Sequence, residues 1–168
     1  FRIPDEPRSL DWHVATTSVD NPLLMNMMEG LMHVDPDLKV VPGLAEKMLL
    51  ENGGKRLRFP VRKAKWSDGV DLTPQHFVDG FERLLNPGTA ASYAYLFFDV
   101  VGAKDYALGS LKDFSKVGVR VEGNAVVIEL NQPIAYFPNV LAFWPSFPVR
   151  KDLIQKYGRE WIKPGKLV

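Results

Sequence analysis

Apolar residues recur along this chain at two periods, and each period marks out its own elements. Leu57, Phe59 and Val61 alternate with Arg56, Arg58 and Arg62, the pattern of a half-buried strand over 56–62. Pro60 lacks the N–H of its outward side, which predicts an edge position or a bulge. The same alternation returns in Val117, Val119 and Val121. After Glu122-Gly123-Asn124 it resumes in Val126, Ile128 and Leu130, so a hairpin is predicted, ended by Pro133. Helical spacing is clearest in Phe77, Phe81, Leu84 and Leu85, which follow Thr73-Pro74 and stop at Asn86-Pro87. Leu23, Leu24, Met27, Met28 and Leu31 repeat that spacing behind Asn21-Pro22, with Asn21 as the expected cap and Gly30 near the end.

Weaker signals fill the gaps. Ser9 to Trp12 could begin a short strand, Thr16 to Pro22 is a polar loop, and Asp35-Pro36-Asp37 is a turn. Ala90 to Val100 and Tyr136 to Phe143 read as helices, and Lys151 to Tyr157 as a short helix closed by Gly158. The fold class is therefore mixed, α+β.

Composition narrows the function classes. With 168 residues, 46% of them hydrophobic and 24% charged, the chain can build a real core. Lys and Arg total 21 against 20 Asp and Glu, so no overall field draws the protein to nucleic acid or anionic lipid. The absence of cysteine excludes a disulfide framework and a thiolate metal site. The most apolar window, Tyr136 to Val149, is broken by Pro138, Pro145 and Pro148 and is too short to span a bilayer. The opening Phe1 to Glu6 lacks the basic start and apolar stretch of a signal peptide, so a removed leader or a boundary is expected there.

Candidate chemistry is sparse. His33, Asp35 and Asp37 could offer three ligands to a metal, but Pro36 makes this a plain turn. Asp11 and His13 would share one face of a strand, as an acid–base pair or as a structural hydrogen bond; no nucleophile accompanies them. His76 reads as a solvated residue of a first helical turn. Asp68-Gly69 lacks the alternating acids of a calcium loop. No phosphate-binding loop, nucleophile elbow or paired-histidine motif is present, so nothing points to an enzyme. Tyr93, Tyr95, Phe97 and Phe98 could line a cleft, although Phe97 and Phe98 read first as core. Met25, Met27 and Met28 read as helix core filling.

A series of short motifs adds what spacing cannot. In order they are Leu10-Asp11, Glu29-Gly30-Leu31, Pro42-Gly43-Leu44-Ala45-Glu46, Phe59 to Arg62, Lys65-Trp66-Ser67-Asp68-Gly69, then Leu130, Pro133, Tyr136-Phe137 and Pro148-Val149. Together they resemble the family 5 solute-binding proteins, the extracytoplasmic peptide-binding receptors of ABC importers. Trp12 departs from the pattern, standing where proline is usual.

The resemblance implies part of a periplasmic-binding-protein type II-like receptor, the amino-terminal third. Residues 1–44 would start a first lobe, 45–161 would form a small inserted α/β domain, and 162–168 would return toward the first lobe. It implies a non-catalytic, exported protein, periplasmic or at the cell surface, that needs no cofactor and delivers an oligopeptide to the permease subunits of an ABC transporter. Ligand-binding residues would be Thr16, Thr17, Ser18 and Val19, whose main chain lies alongside an extended peptide, and Tyr93, where the family has a cleft-facing tyrosine. Thr16 and Met25 stand where the best-known peptide receptors carry charged residues. Three other readings remain: an adhesive or protein-interaction module, a receptor for a nickel complex, haem or an oligosaccharide, and a hydrolase. Self-association through residues 1–44 is also expected, because Leu10, Trp12 and the Leu23–Leu31 helix would normally be buried by docking of the opposing lobe and must find other partners without it.

Overall fold

A computed structural model describes residues 5–168, so the reading of the chain's first residues falls in part on 1–4, outside the described residues. The chain opens in turns rather than in the expected strand: the Asp11 carbonyl accepts from the N–H groups of Val14 (3.0 Å) and Ala15 (2.8 Å). The first helix, α1, is Asp20–Met27. It starts one residue before the expected cap Asn21, because Thr17 and Asp20 bond reciprocally. The Asp20 N–H donates to Thr17 Oγ1 (3.2 Å), and the buried Asp20 carboxylate accepts from the Thr17 N–H (3.1 Å) and the Arg8 N–H (2.9 Å). Met28 is extended, so α1 ends before Leu31, which is buried elsewhere.

Strands β1 (Met32–Val34) and β2 (Val40–Pro42) form a two-stranded antiparallel pair. The main sheet has four antiparallel strands. Its members are β3 (Leu49–Glu51), β4 (Arg56–Pro60), β5 (Val119–Glu122) and β6 (Ala125–Glu129), in the spatial order β3-β4-β6-β5. The predicted hairpin is β5–β6. The strand carrying Pro60 is interior, flanked by β3 and β6, and its register with β6 runs without a bulge from Arg56–Glu129 to Pro60–Ala125. Proline is tolerated because it ends the strand beyond the three residues that β3 pairs.

One face of the sheet presents Leu57, Phe59, Val119, Val126 and Ile128 to α2 (Pro74–Leu85), which returns Phe77, Phe81, Leu84 and Leu85. Alternation and helical spacing thus meet as one core. The other face is a plate of six charges over the fully buried Val127. Arg56 donates to Glu122 (2.8 Å), Arg58 bonds Glu122 and Glu51 (3.1 Å), and Arg120 reaches Glu129 (2.7 Å). The aliphatic arms of these arginines shield the valine beneath their charges.

Helix α3 (Ala103–Ala107), not expected from the pattern, is a single short turn. Residues 90–100 form one 3-10 turn at Ala94–Phe97 rather than a helix, with Ala90 left-handed at φ 53°. The expected helix at 136–143 shortens to α4 (Phe137–Val140), and α5 (Lys151–Tyr157) stands where predicted. A second, smaller core joins the ends of the chain: Trp12, Ala15 and Leu24 pack with Trp144, Phe147, Val149 and Trp161. Trp12 and Trp161 meet edge to face at 4.7 Å. Trp12, Leu24 and Leu31 therefore have partners inside the chain. Among the described residues no helix is long and apolar enough to cross a membrane.

Candidate functional site

The turn at 11–15 is held by a buried polar hub. Arg83, on α2, donates through Nη1 to Asp11 Oδ1 (2.8 Å) and through Nη2 to Asp11 Oδ2, and its guanidinium lies 5.6 Å from the Trp161 ring centre. The Asp11 carboxylate also accepts from the His13 N–H (3.1 Å). Arg83 Nη1 is 2.8 Å from His13 Nδ1; a guanidinium can only donate, so the imidazole accepts and is neutral. Burial, then the Arg83 charge, push the His13 pKa down to about 3. Burial alone would raise Asp11, but the hydrogen bond and charge of Arg83 outweigh it and hold the carboxyl below its ordinary range. Asp11 and His13 are thus joined in a turn, not on a strand, and both are spent on structure. Of the two readings of this pair, the geometry is that of the hydrogen-bonded, structural one.

This hub positions the loop that follows. The buried Ala15 offers its carbonyl to Trp144 Nε1 (3.4 Å), and the Thr17–Asp20 pair fixes the other end. Between these anchors Thr16 and Ser18 are exposed, and Thr17 and Val19 are half-buried. The N–H and C=O of Thr16 and of Ser18 find no hydrogen-bond partner among the described residues. A segment pinned at both ends with open main-chain groups between can pair with another extended chain.

Tyr93 stands one ring away. It meets Trp144 edge-on at 5.8 Å and Phe143 at 5.3 Å, so the indole that holds Ala15 also touches the tyrosine. The structure therefore brings Thr16 to Val19 and Tyr93 into one neighbourhood through Trp144. Met25 packs against the small core. Trp144 and Arg83 are the positioning residues that sequence reasoning missed. Each acts across a long separation, 129 residues from Trp144 to Ala15 and 72 from Arg83 to Asp11, and no local pattern could signal it.

Elsewhere, Asp35 serves its own turn, accepting from the Lys39 N–H (2.9 Å). Among the described residues no group of three or more His, Asp or Glu side chains converges as a metal site. A cavity of about 520 Å³ lies at the other end of α1, walled by Met27, Met28, Leu44, Trp66, Leu72 and Pro148 among others.

Comparison with known proteins gives this geometry its setting. The pattern of the family described as bacterial extracellular solute-binding proteins, family 5 Middle, matches residues 39–165. The chain is 34% identical over 166 residues to the periplasmic oligopeptide-binding protein OppA of Escherichia coli (strain K12), covering 97% of this chain and 30% of that protein. Its structure is similar to that of Burkholderia pseudomallei OppA, with a TM-score of 0.92 and 30% identity over 98% of this chain and 33% of the other. It is also similar to Haemophilus influenzae OppA in complex with RPPGFSPFR, with a TM-score of 0.90 and 29% identity over 96% of this chain and 32% of the other. The chain thus spans about a third of the length of the relatives it matches.

Proposed function

Because the chain belongs to family 5 of the bacterial extracellular solute-binding proteins, we propose that it forms part of an oligopeptide receptor, exported from the cytoplasm, that passes its ligand to an ABC-type permease. The observation that carries this reading is the anchored loop Thr16–Val19, in which Thr16 and Ser18 are exposed and their main-chain groups have no hydrogen-bond partner among the described residues. An extended peptide laid along it gains hydrogen bonds that depend on its backbone and not on its sequence, which suits a receptor for varied peptides. Tyr93, braced by Phe143 and Trp144, would offer an aromatic wall beside the ligand. Thr16 brings no charge, so no fixed charge preference is expected at the ligand residue it faces.

In this reading 1–44 start the first lobe, 45–161 form the inserted domain and 162–168 lead back, with the Arg83 hub and the Trp12–Trp161 contact tying the first two together and Ile162 and Leu167 packing against the small core. The work is capture and release rather than covalent chemistry. Since the chain spans about a third of its relatives, it would line one side of the cleft. Alone it is expected to bind tripeptides only weakly, with Kd above about 100 µM, because a half-open site leaves the ligand wet.

The test is amide NMR during titration with trialanine. Saturable shifts are expected at residues 16–19, lost in Thr16→Pro, which removes the N–H, and kept in Thr16→Ala, which keeps it. Shifts elsewhere, unaffected by the proline, would reject this loop as the peptide surface.

A further inference from the structure

The hairpin of residues 65–71 has one buried anchor. Trp66 is 6% exposed, whereas Lys65, Ser67, Asp68, Gly69, Val70 and Asp71 are all exposed. Its main-chain hydrogen bonds are Trp66 N–H to the Val70 carbonyl (2.9 Å), Gly69 N–H to the Trp66 carbonyl (2.9 Å) and Leu72 N–H to the Ala64 carbonyl (2.9 Å). They are joined by Lys65 Nζ to the Gly69 carbonyl (3.1 Å) and to Asp71 (2.6 Å), and by Val70 N–H to Asp68 (3.2 Å). All lie at exposed residues apart from Trp66 and the flanking Ala64 and Leu72. Two contacts fix the hairpin to the body of the protein: the buried Trp66 indole, and Asp68, whose carboxylate accepts from Arg150 Nη1 (2.7 Å).

The indole is held by His76, which is half-buried and not solvated as its place in a first helical turn suggested. Its Nδ1 accepts from Trp66 Nε1 (3.3 Å) and also from the Thr73 N–H (3.0 Å), the cap residue of α2. The two rings stand edge to face at 5.5 Å and 88°. A capping box normally places Glu or Gln at this third helical position. A carboxylate there keeps its acceptors down to about pH 4, whereas an imidazole loses its only acceptor on protonation and becomes a donor at both nitrogens.

We propose that His76 is a proton-operated latch: neutral, its Nδ1 holds the Trp66 indole and the cap of α2 together, and protonation releases both and loosens the 65–71 hairpin. No partner other than solvent protons is required. Both hydrogen bonds end on one atom, so they fail together.

The charged groups around the ring set where this happens. Arg150, at the head of α5, lies 6.0 Å from the Trp66 ring centre and is held by Asp68 of the hairpin (2.7 Å) and by Asp152 (2.9 Å). Burial, then the Arg150 charge, lower the His76 pKa, and Asp79 on α2 and Asp152 on α5 act in the opposite sense. The latch therefore stays closed at neutral pH and opens on the acid side of the ordinary histidine range. Trp66 walls the 520 Å³ cavity together with Met28, Leu44 and Pro148, so its release also changes that cavity's shape.

The experiment is NMR of the ¹⁵N-labelled chain from pH 7.5 to 4.5, with the Trp66 indole resonance assigned by its loss in Trp66→Phe. The expected result is an indole shift that follows the titration of the His76 ring. Exchange of amides in 65–73, corrected for intrinsic pH dependence, should rise about tenfold beyond that of β6 amides, which report global opening. In His76→Gln, whose side-chain carbonyl does not titrate, that difference should vanish. Should the variant not fold, the wild-type titration decides alone. An indole resonance and 65–73 exchange that stay constant while the His76 ring protonates would overturn the latch.

Discussion

Acidification from pH 6.5 to 4.5 should cost this protein far more stability than a surface histidine could, and His13 is the reason. Its ring is buried, faces the Arg83 guanidinium and has a folded-state pKa of about 3, against 6.5 ordinarily. Above pH 6.5 the ring is neutral in both states and contributes nothing to the pH dependence. Between 6.5 and about 3 the unfolded chain takes up a proton that the folded chain refuses, so unfolding is favoured as pH falls. Each unit in that window is worth about 1.4 kcal/mol, giving roughly 2–3 kcal/mol by pH 4.5. That is a large share of the roughly 5–15 kcal/mol that holds a typical domain folded. Asp11, whose folded pKa is lowered, adds its own loss only below its ordinary value, 3.8, as pH falls toward the folded one. The assay is urea unfolding of wild type and His13→Gln at pH 7.5, 6.5, 5.5 and 4.5. The variant starts lower, by about 1–3 kcal/mol from disturbed packing, and its curve should then be flatter by about 1.4 kcal/mol per unit below pH 6.5. Parallel curves would refute the reasoning, as would a His13 Cε1 resonance that titrates near pH 6 in the folded protein.

Three further outcomes follow from other parts of the structure. Gly80→Ala should destabilise by about 1–3 kcal/mol in thermal unfolding despite the better helix former, because the added Cβ would stand 2.8 Å from the Phe147 carbonyl oxygen; a stabilised variant would show that the 147–148 segment can move aside. Glu122→Gln removes the carboxylate shared by Arg56, Arg58 and Arg120, and should lower the melting temperature at low salt by a gap that narrows at 1 M NaCl, since solvent and ions screen these groups. With Trp12, Leu24 and Leu31 buried inside the chain, self-association through residues 1–44 is left, among the described residues, with the exposed Val14, Met27, Val34 and Leu38; in sedimentation at high concentration a dimer that Leu38→Asp dissolves would uphold it, and a wild-type monomer would end it.

Periodicity made the body of the fold legible. The stripe Phe77, Phe81, Leu84 and Leu85 is α2, the alternating arms around Gly123 are β5 and β6, and α5 runs from Lys151 to Tyr157 as its closing glycine suggested. Leu49-Leu50-Glu51 does not alternate and is three residues long, so β3 gave no signal, and the strand it covers looked like an edge. The Thr17–Asp20 pair was equally hidden, since Asn21-Pro22 offered a better-looking cap one residue later. The place of His76 in a first helical turn gives no hint that an indole ten residues away needs its Nδ1.

The candidate site divides along the same line. Resemblance pointed to Thr16–Val19 and Tyr93, and the chain's own chemistry would not have done so, because an exposed Thr-Thr-Ser-Val loop has no distinctive residue. What makes the loop usable lies elsewhere in the sequence. Arg83 closes the turn at Asp11, Trp144 fixes Ala15, and Trp161 covers Trp12, each from a segment that reads locally as ordinary core. If, as proposed, the loop offers its own main chain to a ligand, it cannot hold itself with those groups, and its position has to be set by distant side chains. For that reason a change at Trp144 should disturb peptide pairing at Thr16 and Ser18 more than Thr16→Ala does, although Trp144 is buried and need never touch the peptide.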